Sequence, residues 1–394
     1  MSKRREDDPR DPDRVSLAFI FDKSSPNFSR RTFMRTMAFA SAAGFVAAAC
    51  GSSGSSSSSS TSNTKPTPLT VGANEAKVLN FYNWTDYIAD STIPNFQKET
   101  GIKVRYDNYS SNDDLFAKMS AGGTGYDIIV PTDAFVTRMR HANLLGALDH
   151  SLIPNIKNLD PRFRNAPYDP GNNYSIPWQW GTTGIGWDKT KVSEPVTDWD
   201  AFNLPDVQKK DSFLAEARDA FAMALFALGK DPNTTNTSDL DAATQYLLDL
   251  KKKVLKITSD YQEPLTGGQL ILAQAYSGDV FTAEATNPHL AYVIPKSGAF
   301  TWVDSMCIPK DAPHPGNAMM FMNYMLEPKV GAALTNAVNY GSPNKAALPY
   351  IDKSITSNPL IYPPPEVLAK LQFQKDLGDT ELEYSDRWTK VTSA

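Results

Sequence analysis

From Val78 onward the chain alternates short apolar runs with amphipathic stretches, and this alternation leaves few folds open to it. Val78–Tyr82 reads as a strand, Ser91–Thr100 as a helix stopped by Gly101, and Lys103–Tyr109 as a second strand. Asn112–Ala121 follows as a helix with Asn112 as its N-cap, then Tyr126–Val130 as a near-continuous apolar strand and Asp133–Leu145 as a helix. Two successive βα units imply a parallel sheet covered on both faces, an α/β fold.

The first strand ends in Asn83-Trp84-Thr85-Asp86-Tyr87, a cluster of aromatics, a hydroxyl and a carboxylate. In an open α/β sheet the crevice lies beyond the carboxyl ends of the strands, which places Trp84, Thr85 and Tyr87 at its lip. Asp149–Asn173 is loop-like. Tyr174–Trp187 reads as extended chain with a bend, and its glycines Gly181, Gly184 and Gly186 are candidate hinge positions. Helices are expected over Leu214–Leu228, Asp239–Lys253, Thr266–Ala275, Gly316–Met325, Val330–Asn336 and Pro365–Leu377, with strands around Ala291–Ile294 and Thr301–Ile308.

Ahead of this part stands a segment of another character. Ser29-Arg30-Arg31-Thr32-Phe33-Met34-Arg35 resembles a twin-arginine export signal, and the apolar run Met37–Ala49 behind it is too short for a membrane span of about 20 residues. The run closes on Ala47-Ala48-Ala49-Cys50-Gly51, which resembles the lipobox of bacterial lipoproteins and makes Cys50 the expected lipidation site. Residues 50–77, rich in Ser, Gly, Thr and Pro, read as the lipidated cysteine and a flexible tether with a mean reach of roughly 30 Å. The chain's other cysteine, Cys307, lies in an apolar run and reads as a small buried hydrophobe, so no disulfide is expected. Removing residues 1–49 takes away nine Lys/Arg and six Asp/Glu, leaving 30 basic and 38 acidic side chains, a net charge of −8. An acidic domain argues against nucleic acid and is compatible with a cationic ligand.

The four histidines His141, His150, His289 and His314 lack metal-ligand spacing, so no metal is expected. No G-x-S-x-G elbow, Walker loop or G-x-G-x-x-G is present, and neither an enzyme nor a cofactor is expected. What the chain does contain is aromatics interleaved with carboxylates. Trp302 and Asp304 share one face of a strand, and Glu216 and Asp219, three apart near a helix start, share one side. Together they suggest a cage for organic ammonium groups: ring faces attract the cation and carboxylates accept its hydrogen bonds.

At these residues the sequence resembles the bacterial periplasmic spermidine/putrescine-binding proteins, the substrate-binding component of polyamine ABC transporters. The similarity runs from about Val78 to Gly378, and is most specific at Phe81–Tyr87, Lys98–Val104, Tyr126–Pro131, Tyr174–Pro177 and Trp302–Ser305. It implies a two-lobed periplasmic binding protein fold of type II, each lobe a mostly parallel sheet flanked by helices and joined by a hinge. The expected lobes are 78–181 with 305–342, and 182–304 with 343–394.

Carried over position by position, the resemblance makes Trp84, Thr85, Tyr87 and Thr132 first-lobe contacts and Glu216 and Asp219 an acid pair on the second lobe. Tyr276 becomes an aromatic wall, Trp302 a cage residue and Asp304 the principal amine-binding acid, with Ser259, Tyr340 and Gln374 as further contacts. Ala134 stands where spermidine-binding members carry a Tyr, the acid pair is in the reverse order, and Tyr276 replaces the usual Trp. The implied partners are a polyamine ligand, ABC permease subunits, and the membrane through the lipid anchor, for a monomeric protein outside the cytoplasm. The same fold accommodates other cationic or zwitterionic solutes, and that is the alternative. An iron carrier would want adjacent tyrosines, which Tyr340-Gly341 does not supply; a lipid-anchored hydrolase lacks a nucleophile and base.

Overall fold

A computed structural model describes residues 66–394. The twin-arginine motif, the apolar run and Cys50 lie outside the described residues, as does most of the expected tether.

Ten strands form one continuous sheet. They are β1 (Val78–Trp84), β2 (Lys103–Tyr109), β3 (Ile128–Ile129), β4 (Ser175–Asp188), β5 (Asp211–Phe213), β6 (Lys256–Ile257), β7 (Leu272–Tyr276), β8 (Leu290–Val293), β9 (Ala299–Cys307) and β10 (Leu371–Gln372). The strand order is β2-β1-β3-β9-β4-β7-β5-β6, with β8 on β4 and β10 on β9. β1 pairs in parallel with both β2 and β3, as two consecutive βα units require, and β5 pairs in parallel with β6 and β7.

The long strands β4 and β9 run antiparallel through the middle and serve both ends of the molecule. Trp178 on β4 and Trp302 and Met306 on β9 belong to one core with Leu79, Phe81 and Phe321, while Ile185 on β4 and Ala299 and Phe300 on β9 belong to another with Phe213, Phe221 and Leu247. Each end therefore has its own apolar centre. Further along, Ile351, Ile355 and Ile361 pack with Ala332, Leu360 packs on a cluster that contains Leu214 and Tyr261, and Leu371 and Leu377 rest on the second core.

Three expectations need correction. Ser111, not Asn112, is the N-cap of the helix Asn112–Ala121, its hydroxyl accepting the Asp114 N–H at 3.1 Å. Asn112 is the first helical residue, and its amide is used elsewhere. The stretch Thr266–Ala275 is not a helix; Gln262–Thr266 makes a short one, and Leu272–Tyr276 becomes β7 because its residues are buried between β4 and β5. An apolar run covered on both faces lacks the alternation that marks a strand in sequence. The last helix is Thr380–Ser393 rather than Pro365–Leu377; only Pro365–Leu368 is helical in the earlier stretch.

The end of the expected tether is packed. The Leu69 N–H bonds the Ala147 carbonyl at 2.9 Å, and the Glu75 carboxylate accepts the N–H groups of Gly316 and Asn317 at the start of helix Pro315–Met325. A carboxylate there satisfies two orphan donors and complements the helix dipole.

The last helix is held at its far end by one ammonium. Lys251 Nζ donates to the carbonyls of Val391, Thr392 and Ala394 at 2.9, 2.8 and 3.0 Å, partners the final turn otherwise lacks. Lys251→Met keeps the aliphatic stem and removes those bonds. Hydrogen exchange of the 388–393 amides is expected to accelerate, with a stability loss of about 1–2 kcal/mol. Unchanged exchange would show that apolar packing of Val391 alone holds the helix.

Candidate functional site

Between the two apolar centres lies a cleft of about 1060 Å³, and the residues expected from the sequence to contact a ligand all line it: Trp84, Thr85, Tyr87, Thr132, Glu216, Asp219, Ser259, Tyr276, Trp302, Asp304, Tyr340 and Gln374. Trp84, Thr85, Tyr87, Thr132, Ser259 and Tyr276 come from strand ends and the turns that follow, as open α/β sheets place their ligand sites, while Trp302 and Asp304 project from the middle of β9 and Tyr340 follows the helix Pro328–Val338.

The lip after β1 is fixed by two asparagines. Fully buried Asn83 donates to the Tyr87 carbonyl at 3.1 Å and the Tyr106 hydroxyl at 3.0 Å, and Asn108 donates to the Trp84 carbonyl at 2.8 Å. This supports a turn in which Asp86 adopts a φ of 52°, the left-handed region Asp tolerates better than most residues. The Trp84 indole N–H bonds the Val130 carbonyl at 2.9 Å, leaving its ring as part of the wall.

The aromatic walls meet edge to face. Tyr276 and Trp302 are 5.8 Å apart at 86°, Trp302 and Tyr340 5.2 Å at 66°, and Tyr87 and Tyr340 5.4 Å at 87°. Two glycines make this possible by close approach. A Cβ on Gly181 would stand 2.7 Å from the Trp302 ring, and one on Gly278 2.6 Å from the Tyr340 ring. Gly278→Ala is therefore expected to push Tyr340 into the cleft and weaken ligand binding at least tenfold, read by calorimetry; unaltered affinity would mean that the ring has room to move.

Four acids on the walls, Asp304, Asp219, Asp279 and Glu216, have hydroxyl partners or none. Asp304 Oδ1 accepts from Thr132 Oγ1 at 2.8 Å. Asp219 accepts from Thr183 Oγ1 at 2.9 Å and more weakly from the Tyr276 hydroxyl at 3.4 Å, a contact that tryptophan could not make in the same way. Asp279 accepts from Tyr340 at 2.6 Å and Tyr261 at 2.7 Å. Glu216, the N-cap position of helix Ala217–Ala227, makes no hydrogen bond from its carboxylate to any described residue. The nearby guanidiniums do not neutralise this group: Arg138 pairs with Asp113 at 3.5 Å and Arg218 with Glu381 at 2.5 Å.

The electrostatic consequence is a set of acids that resist ionisation. Burial pushes Asp304 up to about 7, against the pull of the Thr132 and Tyr87 hydroxyls. Burial, then the charges of Asp219, Asp113 and Asp114, push Glu216 up to about 8. Burial raises Asp219 to about 6 despite Thr183, Tyr276 and Arg218, and raises Asp279 despite its two tyrosines. Carboxylates held in low dielectric and in one another's field gain most from a cation brought among them.

The cleft also presents buried donors without a hydrogen-bond partner among the described residues, Trp302 Nε1 and Ser259 Oγ. Asp279 escaped the sequence reading. It lies three residues after Tyr276, in the first turn of helix Ser277–Glu284, and assigning the preceding segment to a helix hid that register. Ala134 is buried away from the cleft, and its neighbour Phe135 lines it instead. Among the described residues no group of His, Cys, Asp and Glu has the geometry to hold a metal ion.

Residues 92–363 match the family model of the bacterial extracellular solute-binding proteins. The chain is 40% identical over 344 residues to the putrescine-binding periplasmic protein PotF of Escherichia coli, covering 82% of this chain and 93% of that one. Among solved structures it is similar to the spermidine/putrescine ABC transporter substrate-binding protein PotD of Streptococcus pneumoniae, with a TM-score of 0.70, 30% identity, and coverage of 81% of this chain and 99% of that one. The TpPotD lipoprotein of Treponema pallidum gives a TM-score of 0.72 at 32% identity over 80% of this chain and 99% of that one.

Proposed function

The chain belongs to the bacterial extracellular solute-binding proteins, and from that premise we propose that it captures a polyamine, spermidine or putrescine, in the cleft and delivers it to an ABC permease. The observation that carries this reading is the pairing of aromatic walls with under-neutralised carboxylates: Trp84, Tyr276, Trp302 and Tyr340 flank the methylenes while Asp304, Asp219, Glu216 and Asp279 receive the ammonium groups. The names of the relatives, which bind putrescine or spermidine, support the same ligand class. Charge-assisted hydrogen bonds contribute about 1.5–3 kcal/mol each and cation–π contacts about 0.5–2. Micromolar affinity requires about 8.2 kcal/mol, so two or three acids and as many rings suffice after the cost of association.

Calorimetry with spermidine, putrescine and the uncharged 1,4-butanediol tests it. Both amines, or one of them, are expected to bind at micromolar Kd or tighter and the diol not at all; silence with both amines would overturn the reading. Residues 1–49 act as a twin-arginine signal in this proposal, and Cys50 as the lipidated first residue of a membrane-tethered protein, a reading in keeping with the lipoprotein relative. Cys50→Ser is expected to move the protein from the membrane to the soluble extracytoplasmic fraction. Retention on the membrane would exclude the lipid anchor.

A further inference from the structure

Asn112 is buried, 9% exposed, at the start of helix Asn112–Ala121, and both ends of its amide are committed to one residue. Its Oδ1 accepts the Thr132 backbone N–H at 3.2 Å and its Nδ2 donates to Thr132 Oγ1 at 2.9 Å. The backbone N–H is an unambiguous donor, so the amide oxygen must face it and the NH2 must face the hydroxyl. Thr132 Oγ1 then accepts from Asn112 and has one proton left to give, which it gives to Asp304 Oδ1 at 2.8 Å.

Asp304 is thereby gripped from strand β9 by a hydroxyl whose own orientation is set from a helix of the first lobe. The bridge between Thr132 and Asp304 and the bond from the Ser305 N–H to the Pro131 carbonyl at 3.0 Å keep the two strand segments in register. Among the described residues, no bond of the Thr132 hydroxyl to anything but Asn112 and Asp304 competes with this arrangement.

We infer that Asn112 is a positioning residue for ligand capture: it orients the Thr132 hydroxyl toward Asp304 and so presents the other carboxylate oxygen, Oδ2, to an ammonium group. The inference rests on the reading of Asp304 as an ammonium acceptor. It also accounts for a polar residue in a helix's first turn that does not cap that helix. Asn112 also lines the cleft, so a positioning role is one whose effect on binding disappears when the Thr132 hydroxyl is removed, and this separates it from packing and from direct contact.

The test is a double-mutant cycle with spermidine and putrescine on the mature domain, using Asn112→Ala, Thr132→Val and their combination, with thermal unfolding recorded for each. Asn112→Ala is expected to weaken binding about tenfold when Thr132 is present and less than twofold in the Thr132→Val background, whatever it does to unfolding temperature. A loss of equal size in both backgrounds, or none in either, would overturn the inference. A second variant guards against misfolding of the first. In Asn112→Asp the carboxylate can only accept, so it draws the Thr132 proton away from Asp304. Binding is expected to weaken although a negative charge has been added near a cation site; affinity equal to or tighter than wild type would refute the positioning role. If wild-type protein binds neither amine, the proposed function fails instead, and the two failures are distinguishable.

Discussion

Asp304→Ala is expected to lower spermidine affinity at neutral pH by roughly thirtyfold to several thousandfold, about 2–5 kcal/mol. The size follows from what is left behind. Asp304 is only 6% exposed and lines the cleft together with Trp302 and Tyr340, so an ammonium brought to this position has lost most of its water. Deleting the acid leaves that charge desolvated and unpaired and also strands the Thr132 hydroxyl. Asp304→Asn separates the two contributions. It retains an oxygen that can accept from Thr132 but replaces the charged acceptor facing the ligand with a neutral NH2, so the loss it causes measures the charge and that acceptor without the stranded hydroxyl, and it is expected to retain less than a tenth of wild-type affinity. Titration calorimetry at pH 8, where wild-type Asp304 is ionised, is the measurement. Affinities within threefold of wild type for both variants would remove Asp304 from the site and shift the role to Asp219, Glu216 and Asp279.

Part of the cleft was legible in the sequence because Trp84, Thr85 and Tyr87 stand at the end of a strand whose pattern is strong. The short apolar run of β1 and the stop at Gly101, which takes a φ of 70° at the end of its helix, belong to local rules. The pairing of Trp302 with Asp304 follows from the strand period of two. What stayed hidden depends on contacts between distant residues. Asp279 is held by Tyr340, 61 residues on, and by Tyr261, 18 residues before. Asn112 reaches a residue 20 positions away and, through it, one 172 positions from Thr132. The reading of Asn112 as a cap shows the cause: an Asn at a helix start satisfies a local rule, and Ser111 satisfies it equally well. Strand β7 failed for another reason. Leu272, Ala273 and Ala275 are fully buried, so the segment carries neither the period of a helix nor that of a half-exposed strand.

Ligand capture is expected to release protons, and acid is expected to discharge the ligand. In the empty cleft Asp304 is raised to about 7, Glu216 to about 8 and Asp219 to about 6, each chiefly by burial. An ammonium beside them favours the ionised form, so the bound state holds fewer protons than the free state throughout pH 5–8. Affinity therefore falls as pH falls through these values. For a single acid near 7 that must be ionised in the complex, the fall from pH 8 to pH 5 is about a hundredfold, and Glu216 adds to it. The empty domain obeys the opposite sign. Its raised carboxylates bind more protons folded than unfolded, so they stabilise the fold toward pH 5 and that contribution is lost as pH rises through 6–8. Buried Asp127, Asp133, Asp169 and Asp211 are also raised by burial and tilt the stability of empty and loaded protein alike. The difference between the two states thus isolates the cleft. Calorimetry at pH 7 in buffers of different ionisation enthalpy should register about one to two protons released per spermidine bound, and the ligand-induced rise in Tm should shrink steadily from pH 8 to pH 5. Binding with no buffer dependence would mean that the carboxylates are already ionised in the empty cleft, and that its charge is balanced by the protein itself.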